Sequence, residues 1–377
     1  MRIAVIGVRG VPAAYSGLET EVDEVGSRLV ARGHEVLVYC RRNCSKYSET
    51  HYKGMRRIVL PSLKGKWTDT YSHSLLSMFH VLKERPDVIL AYNPGIASLC
   101  AIPKMLGYPV ALNPDGFDWE RRKWGWFAKR FIRGSAWLTT KVVDQIIADA
   151  ITVQTYFNSV WKCHPPAVYI PNGGQLEPPE TAGVPEAEAA EILKRYGVEK
   201  GKYLLFLSRH EPENSCEYIL KAFEGVKGDV KLLFGGGVTY ASPYADSLRQ
   251  TKDPRILFPG PIYDAQHVKA LHHHCLFVVH GNQPGGMSLG LLKALGLGAC
   301  VMTVNTPDNA YVLKDAGITY ELSAESIRSG MEFLLANPDK VRECQRSAIE
   351  QIKAEYLWDV VTDRYEATLK RLAAGHR

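Results

Sequence analysis

Short, continuously apolar runs recur along the chain, separated by amphipathic stretches. In the first half they are Ile3–Ile6, Val36–Tyr39, Ile58–Leu60, Val88–Ala91, Val110–Leu112, Ile146–Ala148 and Val168–Ile170. In the second half they are Tyr203–Leu207, Val230–Phe234, Ile256–Phe258, Leu276–Val279 and Cys300–Val304. Apolarity without alternation is what a strand buried on both faces requires, and such strands belong to parallel sheets. The stretches between them read as helices. Glu19–Arg32 sets Val22, Val25, Leu29 and Val30 along one side and ends at Gly33, a good residue for leaving a helix. Cys216–Val226, Ala265–His274 and Met287–Leu297 behave alike. Strands alternating with helices imply an α/β fold with right-handed crossovers. Two such series, each opening on a strong strand, imply two Rossmann-like domains.

The chain's 377 residues suit that division. Residues 1–171 read as the first domain and 202–355 as the second. Between them, 172–201 holds Pro178, Pro179, Pro185 and the acidic helix Glu186–Arg195, and reads as a linker. Asp339–Arg377 is continuously helix-compatible, and its end, 356–377, is expected to cross back onto the first domain. With 46% apolar and 23% charged residues the chain is neither disordered nor collagen-like. No apolar run approaches the ~20 residues needed to span a bilayer; the best, Ile96–Leu112, is interrupted by Pro103, Lys104 and Pro109. The first apolar run is too short for a signal peptide. Eight cysteines without a CxxC pair point to a reducing, cytoplasmic setting. The net charge of +6 falls short of a nucleic-acid-binding composition and suits an anionic substrate or membrane surface.

Candidate chemistry clusters where strands end. Gly7-Val8-Arg9-Gly10-Val11-Pro12 follows the first strand, and Gly10 would let backbone N–H groups approach a phosphate or sugar. Gly17 and Glu19 open the next helix, where Ser16 and Glu19 also fit a capping box. Asn113-Pro114-Asp115-Gly116 follows another strand; Asp115 could act as a base or bind sugar hydroxyls, and the tripeptide also makes a good turn. Arg209, after the first strand of the second series, suits bidentate pairing with a diphosphate, or a surface ion pair. His280 ends a later strand, and Gly285-Gly286 would present N–H groups where the following helix begins. His272, His273 and His274 cannot all face one metal, because consecutive helical residues point apart. Trp119–Trp137 interleaves Arg121, Arg122, Lys123, Lys129, Arg130 and Arg133 with Trp124, Trp126, Phe127 and Phe131. With Trp124, Phe127, Phe131 and Ile132 at helical spacing and most bases elsewhere, this stretch suits an anionic membrane. Buried aromatics beneath a solvated basic face would read the same way.

These residues resemble the GT-B nucleotide-sugar glycosyltransferases, and more narrowly the retaining family-4 enzymes of the bacterial rhamnosyltransferase-like subgroup. The matching stretches include Gly7–Ala13, Tyr15–Thr20, Tyr52-Lys53-Gly54, Ser72-His73, Asn113–Gly116, Lys123-Trp124, Ile170–Gly173, Pro212-Glu213-Asn214 and His280-Gly281, in family order. The resemblance implies two Rossmann-like domains facing across a cleft. It implies transfer of a sugar, such as rhamnose, from a nucleotide-diphosphate donor with retained anomeric configuration. The acceptor would be a glycan or lipid-linked sugar at the inner membrane face, in surface polysaccharide or glycoconjugate synthesis. No metal or other cofactor is required, and homo- or hetero-oligomers are compatible with it. Asp115 and Glu19 take the catalytic positions. Gly10, Gly17, Asn172, Arg209, Asn214, His280, Gly285, Gly286 and Lys293 take donor-binding ones, and Arg121, Arg122, Lys123, Trp124 and Trp126 the membrane or acceptor face. The chain departs from the pattern at Met287 and at Lys293, where similar proteins carry a Glu for the donor ribose. An ammonium offers no acceptor to hydroxyls. A catalytically inactive homologue that scaffolds a partner transferase therefore stands as the alternative.

Overall fold

The computed structural model describes residues 1–13, 17–44, 47–65, 68–120, 125–238, 242–283 and 286–375. The chain forms two compact units: Met1–Gly173 with Gly285–Met287 and Trp358–Arg377, and Gly174–Pro284 with Ser288–Leu357.

The first unit carries β1 (Arg2–Ile6), β2 (Glu35–Arg41), β3 (His51–Tyr52), β4 (Met55–Leu60), β5 (Val88–Tyr92), β6 (Val110–Asn113), β7 (Gln145–Ala148) and β8 (Val168–Tyr169). They form one sheet in the order β3-β4-β2-β1-β5-β6-β7-β8. Every pair is parallel except the short β3–β4 hairpin. Its helices are α1 (Gly17–Ala31), α2 (Thr68–Glu84), α3 (Ala97–Met105), α4 (Trp126–Val142), α5 (Ile151–Thr155) and the C-terminal helix Trp358–Gly375. Successive strand residues point to opposite faces, and each face has its own core. Ala4, Ile6, Leu37, Tyr39, Ile89 and Leu112 pack with Met78 of α2, Leu99 of α3 and Ile132 of α4. Ile3, Val5, Val36, Val38, Val88 and Leu90 pack with Val22, Val25 and Leu29 of α1 and with Trp358, Val361, Tyr365 and Leu369. Two covered faces explain why these strands show no polar alternation.

The second unit carries β9 (Tyr203–Leu207), β10 (Lys231–Gly235), β11 (Ile256–Leu257), β12 (Val278–His280), β13 (Val301–Val304) and β14 (Gly317–Tyr320), in the order β11-β10-β9-β12-β13-β14, all parallel. Its helices are α6 (Pro179–Ala182), α7 (Glu186–Arg195), α8 (Cys216–Glu224), α9 (Pro243–Leu248), α10 (Ala265–His274), α11 (Leu289–Gly296), α12 (Pro307–Leu313), α13 (Ala324–Ala336) and α14 (Pro338–Gln351).

Three expectations change. The stretch 172–201 is more than a connector, since Ala189 and Ile192 of α7 are buried with Val184 and Ala270 in a small core of the second unit. The last 39 positions are not one helix: the backbone turns extended at Leu357 (φ −61°, ψ 139°) before the C-terminal helix starts. The helix after the glycines starts at Leu289, with Ser288 as its cap. Gly286 belongs to the preceding turn, at φ +117°.

Strand order reverses beside β1 in the first unit and beside β9 in the second. Open α/β sheets bind ligands at such switch points, outside the carboxyl ends of the strands.

Candidate functional site

In the first unit the switch point lies between β1 and β5. Gly7 (φ +101°) and Gly10 (φ +125°) shape the loop after β1. A Cβ on Gly10 would stand 2.6 Å from Cys40 Sγ, so only glycine fits there. Glu19 is buried at the start of α1, and its Oε1 accepts from the Arg9 backbone N–H at 3.1 Å. Its carboxylate thus holds the glycine loop; the proposed cap, Ser16, lies outside the described residues. Asp115 follows β6 at φ +60°, with its N–H donating to Asn113 Oδ1 at 2.9 Å. This Asx-type turn presents its carboxyl beyond the strand end. Asn172 is buried and donates to Asp149 Oδ2 at 3.5 Å.

The sequence reading missed the most unusual group here. Glu21, one turn inside α1, is buried between two tyrosines: Tyr92 donates to its Oε1 at 2.8 Å and Tyr365 at 2.5 Å. Burial pushes its carboxyl up to about 7, although both phenols pull the other way, and the charge of Asp115 adds to the rise. An acid four residues before Val25, on the apolar side of α1, was the available signal. Nearby, Arg41 at the end of β2 donates to Asp69 at 3.0 Å and to the Gly7 carbonyl at 3.4 Å. His73 is fully buried beside this pair, and burial pushes its imidazole down to about 4.

In the second unit the switch point lies between β9 and β12, and the loops leaving them are tied together. Asn214 Nδ2 donates to the Arg209 carbonyl at 2.8 Å, closing the first loop. Ser215 Oγ donates to the Gly281 carbonyl at 2.7 Å, joining it to the second. Tyr320 donates to the His280 carbonyl at 2.8 Å and Asn309 to the Asn282 carbonyl at 2.9 Å. His280 has both ring nitrogens engaged, with Thr303 Oγ1 and Ser288 Oγ, each at 2.8 Å. Burial pushes it down to about 4, so it is a neutral spacer setting Ser288, whose Oγ accepts from Leu291 N–H. Arg209 differs from these neighbours. Its side chain is 64% exposed and pairs with Glu211 at 3.2 Å, a type of pair that contributes little. Its guanidinium is available to an incoming anion. Lys293 points outward from α11, and partial desolvation of its ammonium lowers its pKa against the opposing pull of Glu177.

Gly17 opens α1. Gly285, Arg121, Arg122, Lys123 and Trp124 lie outside the described residues. Trp119 is buried, against Phe117 and Trp161 among others. On α4 the aromatics are not beneath the basic face: Trp126 (73%), Phe127 (79%), Phe131 and Trp137 are exposed. Arg130 stacks over Trp126 and Lys141 over Trp137, with 5.3 and 5.9 Å to the ring centroids. Aromatics and cations therefore share one side, contrary to the expected separation. Among the described residues no helix is long and apolar enough to cross a membrane. No group of three or more His, Cys, Asp or Glu is placed there to hold a metal. His272 contacts the Val268 carbonyl and His273 that of Glu177.

Two parallel-sheet α/β units in one chain, each with polar residues at its switch point, are the parts of a GT-B fold. Residues 15–177 match Glycosyltransferase Family 4, and residues 189–351 match Glycosyl transferases group 1. The chain belongs to the GT-B glycosyltransferases, with the two family domains in that order. Among solved structures it is similar to a glycosyltransferase from Rickettsia africae (13% identity, TM-score 0.78, 98% of each chain covered). It is similar to sucrose-phosphate synthase from Thermosynechococcus elongatus (15%, 0.78, 99% of each). It is also similar to HepE from Anabaena in complex with UDP (14%, 0.79, 98% of this chain and 100% of that one). HepE is also solved with UDP and glucose and with UDP-glucose. No curated protein matches by sequence.

Proposed function

We propose that the chain transfers a sugar from a nucleotide-diphosphate donor to a glycan or lipid-linked acceptor, with retained anomeric configuration. The observation that carries this reading is the braced pair of loops around the β9/β12 switch point. Their backbones are held by Asn214, Ser215, Asn309 and Tyr320, while Arg209 stays exposed. Such a site binds a diphosphate without reorganising, and donors aimed at developing charge stabilise its departure. Arg209 and the backbone N–H groups opening α11 take that role in place of a metal. UDP and UDP-glucose in HepE support a nucleotide sugar as the donor.

Asp115 and Glu19 serve the first unit's side of the reaction. Asp115 meets a sugar hydroxyl or the reacting group, and Glu19 sets the loop of Gly10 through Arg9. The exposed Trp126, Phe127 and Phe131, with Arg130 and Arg133 on the same helix, fit an anionic membrane carrying the acceptor.

Lys293 favours a second reading, an inactive scaffold for a partner transferase, because a lysine cannot accept from ribose hydroxyls. The deciding experiment incubates the full chain with a panel of nucleotide sugars, dTDP-rhamnose and UDP-glucose among them, and membrane-extracted lipid acceptors. Nucleotide release with an NMR-resolved product of unchanged anomeric configuration is expected. Absence of turnover with every donor, while Lys293→Glu gains donor binding, selects the scaffold.

A further inference from the structure

The second unit holds a hollow of about 330 Å³ away from its strand-end loops. It is bounded by the last turns of α10 and α11, the helices that lead into β12 and β13, and by α14. It therefore opens at the amino ends of those strands, whereas Arg209 and Ser288 stand at the carboxyl ends. Its apolar wall includes Leu297, Ile349 and Pro179.

Its polar lining includes two cations and two acceptors, beside Gln345 and His273. Arg342 and Arg346 lie one turn apart on α14 and face the same hollow. Arg342 pairs with the exposed Asp339, and Arg346 makes no ion pair among the described residues. His272 and Glu180 are acceptors. His272 is buried, and its Nδ1 lies 2.7 Å from the Val268 carbonyl, so Nδ1 carries the proton and Nε2 presents a lone pair. The helix-end carbonyls that would repel an anion are already used: Gly296 accepts from Glu177, His274 from Gly201 and Lys293 from Leu297.

We propose that this hollow binds a small phosphorylated polyol. Arg342 and Arg346 hold the phosphate, His272 and Glu180 accept from hydroxyls, and Leu297 and Ile349 meet the carbon face. Two guanidiniums beside two acceptors match a ligand that is anionic at one end and a hydroxyl donor at the other. The same helix, α11, forms the hollow's wall at Leu297 and starts at Ser288 beside His280. An occupant is thus placed to report on the strand-end site through one rigid element.

The test is calorimetric titration of the full chain with glucose 6-phosphate, glucose and inorganic phosphate. Glucose 6-phosphate is expected to bind more tightly than either fragment. Arg342→Ala and Arg346→Ala, both at exposed positions, should each weaken it roughly tenfold, and Arg209→Ala should leave it unchanged. Phosphate binding as tightly as the sugar phosphate overturns the polyol assignment. Equal affinity in the α14 variants, loss in Arg209→Ala, or no heat from any probe at millimolar concentration overturns the site. Anion capture at Arg209, which the transferase reading requires, is separated from this hollow by the Arg209→Ala arm.

Discussion

The two switch points share a topology and differ in how fully their polar groups are paired. Around β9 and β12 most polar side chains satisfy one another: His280 bridges Ser288 and Thr303, and Asn309, Tyr320 and Ser215 each take a loop carbonyl, while the buried His210 keeps one ring nitrogen, Nε2, without a partner. Around β1 and β5 the chain buries Glu21 with one oxygen lacking a partner, and His73 with neither ring nitrogen in a hydrogen bond of good geometry. Satisfied networks hold one geometry, whereas unsatisfied buried groups reduce stability and respond to protonation. The second unit thus holds its strand-end loops in one arrangement, and the first keeps a titratable interior where α1, β5 and the C-terminal helix meet.

The largest expected effect comes from Glu21. Its carboxyl rises from 4.5 to about 7 in the folded chain. Between those values the unfolded chain is ionised while the folded one keeps its proton. Stability therefore falls as pH rises through that window, by about 3 kcal/mol in full. Glu21→Gln should remove this slope, so that the variant gains on the wild type from pH 4 to pH 8 in thermal melts. A constant difference between the two across that range breaks the comparison on the side of the first unit.

On the other side, Asn309→Ala leaves the carbonyls of Asn282 and Val304 without their side-chain donor. A loss of about 1–3 kcal/mol in urea unfolding is expected, with weaker nucleotide binding. Unchanged binding would show that the brace does not shape the site.

How much of this was legible follows from what each feature depends on. Strands buried on both faces need uninterrupted apolar residues, so β1, β2, β5, β6 and β9 stood out. β14 has a half-exposed edge sequence, Gly317-Ile318-Thr319-Tyr320, and carried no such run. The strand-end loops at Arg209 and His280 could be found because strand ends are where parallel sheets bind. Their bracing could not, because Asn309 and Tyr320 lie far along the chain from the loops they hold. Glu21 looked like one more helical acid until Tyr365, 344 positions away, closed over it. The aromatic periodicity on α4 fitted either a membrane-facing or a buried stripe, and sequence alone could not decide between them; in the fold α4 packs on its Ile132 and Ala136 side and leaves Trp126, Phe127, Phe131 and Trp137 exposed.

A smaller effect is expected at α4. Attraction to an anionic surface is worth about 1 kcal/mol per basic residue. Replacing Arg130 and Arg133 with Gln should therefore weaken binding to phosphatidylserine vesicles, and the wild-type binding should fall with salt. Equal affinity for neutral vesicles would remove the membrane from the account. Smallest of all is Glu199→Gln, which breaks an exposed pair with Lys202. No measurable change in melting is expected, since such pairs contribute little.

On the proposed reading the braced loops of the second unit receive a nucleotide diphosphate on Arg209. Calorimetric titration of UDP and dTDP into the wild type and Arg209→Ala tests it directly. At least one nucleotide should bind the wild type, and the variant should lose about 1.5–3 kcal/mol with its melting temperature unchanged. Equal affinity in both proteins, or no binding of either nucleotide, would contradict it.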